Sequence, residues 1–174
     1  MAEQVADRFR ANSIDVLMSD RGLDHGTWVP LSRMFPKADI PVVQLSVHPF
    51  LPAERQFRIG EALRGLGHEN ILVVGSGVTV HNLQRIEWGL SRDRKPEEWA
   101  AAFDNWLIEK LQAKDWASLF RYEELAPNAR DAVPRPEHFV PLFLAAGSAD
   151  PDSETKVLHH SFEFGSISYL SLQF

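Results

Sequence analysis

The sequence predicts an α/β fold: three layers, with a mostly parallel or mixed sheet flanked by helices. Three observations predict it. Short apolar runs, Ile14-Asp15-Val16-Leu17, Pro41-Val42-Val43-Gln44-Leu45-Ser46 and Ile71-Leu72-Val73-Val74, have strand length and turn residues nearby. Segments with helical spacing of apolar residues lie between and after them. Strands that alternate with helices pack as a sheet with helices on its faces.

In chain order, residues 3–11 read as the end of a helix and Ile14–Leu17 as a strand. Asp24 to Arg33 is a loop and short helix, with Asp24 a plausible N-cap and Pro30 tolerable in the first turns. Pro41–Ser46 is the next strand. Glu54 to Leu66 is helical, with Ile59, Leu63 and Leu66 on one face, and leads to the Ile71–Val74 strand. Glu97 to Leu111 is the strongest helix; Trp99, Phe103, Trp106, Leu107 and Leu111 form its apolar stripe, read as core packing. Residues 123–136 carry Pro127, Pro134 and Pro136 and are expected to be a loop. Glu137 to Ala146 is a short helix with Pro141 near its start, Ser148 to Ser153 a polar turn, and Phe162 to Phe174 a terminal strand.

At 174 residues, with 44% hydrophobic and 24% charged residues, the chain is of single-domain size, and residues 1–174 are read as one domain. A formal net charge of −6 argues against a nucleic-acid or anionic-membrane partner, which would call for a basic patch. No apolar run approaches a membrane span, and Met1 to Arg10 is charged and lacks a signal-peptide core. There is no cysteine, hence no disulfide framework and no thiolate metal site. The expectation is a cytoplasmic protein in which any metal is held by His, Asp or Glu.

The segment Gly75-Ser76-Gly77-Val78-Thr79-Val80-His81-Asn82-Leu83 is the most informative stretch. An apolar run feeds into two glycines, and a histidine follows where the chain should leave the sheet. Ligands of open α/β sheets bind beyond the carboxyl ends of the strands, so His81 stands where an active-site group is expected; the alternative is a structural, hydrogen-bonded histidine. Imidazole can serve there as proton shuttle or metal ligand. His25, in Leu23-Asp24-His25-Gly26-Thr27-Trp28, and His138, in Pro134-Arg135-Pro136-Glu137-His138-Phe139, also sit at element ends, where catalytic groups gather. Open sites with His and carboxylate ligands bind non-heme Fe(II), and imidazole also suits zinc. The spacing of the three matches no compact ligand motif. His48 and His68 have weaker contexts, and the His159-His160 pair is read as a surface feature.

Five segments, in this order, resemble the class III extradiol ring-cleavage dioxygenases of the LigB-like superfamily, in the DOPA 4,5-dioxygenase branch. They are Asp24-His25-Gly26, Ile40 to Ser46, Gly75-Ser76-Gly77 through His81-Asn82-Leu83, Pro136-Glu137-His138-Phe139-Val140-Pro141-Leu142 and Phe164-Gly165-Ser166-Ile167-Ser168. The resemblance runs along essentially the whole chain. It implies an oxidoreductase that opens a catechol-type ring with O2, using non-heme Fe(II), or Zn(II) as in bacterial members of the branch. By that resemblance His81 is the acid/base histidine, counted as a metal ligand in zinc-containing relatives. His138 matches the last metal ligand, and His25 a histidine near the substrate pocket that either supports a metal ligand from behind or has an acid/base part. The resemblance also implies two more ligand histidines, in Gly-His-Gly and Ser-Ala-His-Trp-like contexts, that this sequence does not contain. The expected fold is therefore an incomplete LigB-like one, corresponding to the C-terminal portion of such an enzyme. The alternative is a non-catalytic interaction module of the same fold.

Overall fold

Glu98–Gln112 (α4) is the helix around which the molecule is organised. Its sequence is rich in Ala, Leu and Glu, with Glu98 in the first turn and Lys110 in the last, as the helix dipole favours. Ala100, Phe103, Asp104, Leu107 and Leu111 recur at helical spacing and are fully buried. Trp99 and Trp106 flank this stripe, half-buried, against the same core. The stripe packs with Phe57, Val80, Leu119, Tyr122, Phe139 and Phe143. The rings of Phe103, Tyr122 and Phe143 surround Phe139 at centroid separations of 4.7–5.7 Å.

The computed structural model describes residues 1–174. Before α4 lie Ala2–Ala11 (α1), His25–Met34 (α2) and Ala53–Glu61 (α3). After it come the short helices Trp116–Leu119 (α5), Tyr122–Leu125 (α6) and Ala129–Ala132 (α7), then Pro141–Ser148 (α8) and the strands Lys156–Glu163 (β1) and Ile167–Gln173 (β2). The α/β class holds, and the expected helices recur at α1, α2, α3, α4 and α8, with shifted ends. Helix α3 stops at Glu61, short of the expected Leu66; Gly65 adopts φ 81° and opens a separate 3-10 turn at Leu66–Glu69. The expected helix at 137–146 is split: Pro136–His138 is a 3-10 turn, and α8 begins at Pro141 as its first residue. The expected loop at 123–136 contains α6 in part and α7, because its prolines fall between the helical turns.

The hydrogen-bonded sheet is one antiparallel pair, β1 with β2. The expected single terminal strand is thus a hairpin. Phe164 and Gly165 both have positive φ, 50° and 71°, and Ser166 N–H closes the turn on the Glu163 carbonyl at 3.2 Å, before Ile167 pairs with Glu163. The runs 14–17, 41–46 and 71–74 form no ladder with one another. They do alternate: Ile14, Val16, Leu45, Ile71 and Val73 pack on the cluster of Val5, Phe9, Ala62, Leu63 and Leu66 supplied by α1 and the turn after α3. Leu17, Val42, Leu72 and Val74 face outward. Their sequences encode one buried face each, but a strand is complete only when its peptide groups find a partner.

Helices α3 and α8 cross at two glycines. A Cβ on Gly60 would lie 2.1 Å from the Leu144 carbonyl oxygen, and one on Gly147 2.0 Å from the Phe57 carbonyl oxygen. This crossing fixes α8, and with it the turn that carries His138.

Candidate functional site

Three loops meet around the histidines. In the first, Asp24 caps α2: its Oδ1 accepts from Thr27 N–H at 3.1 Å, and its Oδ2 from Gln44 Nε2 at 3.0 Å. Gln44 Oε1 in turn accepts from the Asp24 N–H at 2.8 Å. The apolar run at 41–46 therefore contributes its one amide side chain to hold the loop, and His25 is the first helical residue after the cap. In the second loop, Ser76 Oγ donates to the Gly26 carbonyl at 2.6 Å, tying the Gly75-Ser76-Gly77 segment to the His25 loop.

The third loop lies against the second with no space between them. Val78 N–H donates to the His138 carbonyl at 2.8 Å, and His81 N–H to the Ala132 carbonyl at 3.0 Å. Asn82 Nδ2 adds a bond to the Asp131 carbonyl at 2.9 Å. A Cβ on Gly77 would stand 2.0 Å from the His138 carbonyl oxygen, so glycine is required there by contact. On its other edge His81 forms an isolated antiparallel bridge to Ile167 of β2.

These backbone contacts bring the His81 and His138 rings together, with centroids 4.7 Å apart and planes inclined by 45°. Both side chains are half-buried. Burial, first, and the adjacent His138 imidazole, second, hold His81 below its ordinary value of 6.5; the Glu137 carboxylate opposes this. His25 is exposed, and its loop reaches the pair's loop through Gly26 and Ser76. His48, His68 and His159 are exposed and separate from this arrangement.

The donor set decides what the site can hold. No three His, Asp or Glu side chains are grouped closely enough to enclose a metal ion. An open catalytic metal site uses three protein ligands. The two imidazoles fit part of such a set and do not complete it. A separate cavity of about 180 Å³, lined among others by Phe57, Arg64, Lys114 and Trp116, contains none of the three histidines. Its cations are already engaged: Arg64 Nε donates to the Gly147 and Ala149 carbonyls, and Lys114 Nζ to that of Pro151.

Two features of the site's surroundings went unread in the sequence. Asp104 lies within the buried stripe of α4, a carboxylate at an apolar helical position, which is a legible signal. Its partner His160, read as a surface residue, turns inward from β1 to within 3.0 Å of the Asp104 Oδ2.

The fold and this loop arrangement have counterparts. The chain matches, over residues 1–174, the family described as the catalytic LigB subunit of aromatic ring-opening dioxygenase, and it belongs to that family. A 4,5-DOPA dioxygenase extradiol of Beta vulgaris is 39% identical over 181 aligned residues, covering 100% of this chain and 65% of that protein. Those of Portulaca grandiflora and Escherichia coli K12 are 37% and 36% identical, covering 98% and 87% of this chain but 61% and 56% of theirs. The crystal structure of an uncharacterised protein of Escherichia coli K12, JW3007, superposes with a TM-score of 0.85 at 31% identity, over 98% of this chain and 70% of that one. The chain thus spans about two thirds or less of the relatives it matches.

Proposed function

We propose that this chain is the His81- and His138-bearing portion of an extradiol dioxygenase that cleaves a catechol-type ring with O2 at a non-heme metal. The observation that carries the reading is the pair of imidazoles at 4.7 Å, held by backbone bonds between two loops in a member of a ring-opening dioxygenase family. His138 is the metal ligand of the pair. His81 is the proton-transfer group: it accepts a proton from a catechol hydroxyl at a ring nitrogen and returns one later in the reaction. Its depressed pKa suits that part, since the neutral ring is the base and dominates near pH 7. His25 borders the substrate position and can take part in the same proton traffic. Fe(II) and Zn(II) both accept imidazole ligands. Because two imidazoles do not make a three-ligand site, the remaining ligands are not among this chain's own grouped side chains.

The test joins the chain at its N-terminus to a segment carrying Gly-His-Gly and Ala-His-Trp, and measures metal content and catechol-dependent O2 uptake. His138→Ala should lose metal and activity together. His81→Ala should keep its metal and lose turnover by roughly 10²–10⁴-fold, the usual worth of general acid–base help. If His81→Ala loses metal as fully as His138→Ala, His81 is a ligand first and the proton shuttle must be sought at His25. A second reading, a non-catalytic interaction module of the same fold, is favoured by the incomplete donor set. It takes over if the joined chain, with both histidines in place, neither retains metal nor takes up O2 with a catechol.

A further inference from the structure

Asp104 is the one carboxylate in the core, fully buried on the apolar stripe of α4. A buried carboxylate is costly unless hydrogen bonds or a charge partner compensate it. Its Oδ2 accepts from Ser168 Oγ at 2.5 Å and lies 3.0 Å from His160 Nε2; its Oδ1 has no partner. Both partners come from the hairpin, so the carboxylate ties β1 and β2 to the helix beneath them.

The Ser168 side of this tie continues toward the histidine pair. The Ser168 N–H donates to the Val80 carbonyl at 3.1 Å, and Ile167 bridges His81. Ser168 and Val80 are themselves buried. On its opposite edge the 78–81 segment is bonded to the Ala132 and His138 carbonyls. The backbone of His81 is thus clamped between β2 and the loop that carries His138. Only the β2 side of the clamp is anchored in the core by a charged group.

We propose that Asp104 is a positioning residue for His81: through the Ser168 hydroxyl it fixes β2, and β2 holds the Val80–His81 backbone at the spacing that faces the two imidazoles toward each other. His160 shields the same carboxylate oxygen from solvent. The catalytic meaning of this link rests on the proton-transfer part proposed for His81. The experiment below reads geometry, so its failure and the failure of that part are separate results.

The test is NMR of the 174-residue chain with ¹³C,¹⁵N-labelled histidine and amides. Wild type should give an inter-ring cross-peak between His81 and His138. Ser168→Ala removes the hydroxyl and leaves the backbone amide in place. It should lose that cross-peak, and the Ser168 amide should exchange faster by on the order of tenfold as the strand loosens. Asp104→Ala should do the same. Asp104→Asn should restore both signals, because an amide oxygen in the place of Oδ2 still accepts from the Ser168 hydroxyl and from an N–H at His160 Nε2. Phe103→Leu, in the same helix and fully buried, should lower the melting temperature while the cross-peak survives. An unchanged cross-peak and unchanged Ser168 protection in Ser168→Ala would overturn the proposal. So would equal losses in Phe103→Leu, which would mean that any weakening of the core disturbs the pair. If Asp104→Ala does not fold, Ser168→Ala and Asp104→Asn carry the test.

Discussion

His81 is fastened by its own peptide N–H to Ala132 and by a bridge to Ile167, so the backbone that carries its ring is held on both edges. That placement has a thermodynamic consequence. Burial and the neighbouring His138 depress the His81 pKa, so in the acidic range the unfolded chain binds a proton that the folded chain resists. The sign follows: stability from this group is full above its ordinary value of 6.5 and declines as pH falls from there toward the folded value. We therefore expect His81→Gln, which cannot titrate, to lose less stability than wild type between about pH 7.5 and about pH 5.5. Urea midpoints at the two pH values measure it; equal losses in both proteins would trace the acid sensitivity to another group.

At the scale of elements, two close backbone crossings set the site. The α3–α8 crossing leaves no room for a methyl group at Gly60 or Gly147, and the loop contact leaves none at Gly77. Gly60→Ala and Gly147→Ala should each destabilise the chain by about 1–3 kcal/mol, the usual cost of overpacking, seen as a lowered thermal midpoint. Gly77→Ala should act differently. Its new methyl meets the His138 carbonyl, so the Val78–His138 hydrogen bond must open and the His138 ring signals should shift by more than those of His160. A Gly77→Ala protein with unmoved His138 signals would show that the loop accommodates the methyl elsewhere. The same scale explains the apolar runs at 14–17, 41–46 and 71–74. Each buries one face on α1 and the turn after α3, and each leaves its ladder groups without strand partners.

For the whole molecule, those runs leave apolar side chains exposed. Leu17 is 94% exposed and Leu72 74% exposed, with Val42 and Val74 also facing outward. Outward apolar residues on strand-like segments favour association. Leu17→Lys with Leu72→Lys should reduce concentration-dependent light scattering and change unfolding free energy by no more than ~0.5 kcal/mol, as surface substitutions do. A large stability loss would mean that these side chains are covered in solution. The metal question belongs to this scale too. With two grouped imidazoles, the chain by itself should retain less than stoichiometric Fe(II) or Zn(II) after dialysis, by elemental analysis. Tight one-to-one metal would reveal a further ligand, with Asp24, Glu137 and His48 the first to examine.

Local chemistry in the sequence determined a good deal. The apolar stripe of Phe103, Leu107 and Leu111 announced α4, Asp24 announced the start of α2, and two glycines before His81 announced the end of an apolar run. Period and capping are properties of neighbouring residues, so a linear reading finds them. The apolar runs were legible as half-buried segments but not as unpaired ones, because strand pairing is a relation between distant segments. The hairpin was half-seen for the same reason: the segment read as a strand, Phe162 to Phe174, contains the second strand and the turn, while the first strand carries His159-His160, whose inward and outward positions only the register assigns. The site divides likewise. Each of His25, His81 and His138 could be singled out by its place at an element end. That His81 and His138 meet at 4.7 Å, that His25 joins them only through Gly26 and Ser76, and that Asp104 reaches His81 through Ser168 were decided by tertiary structure. Contacts made across dozens of residues depend on how helices and loops pack, and no local pattern records that packing.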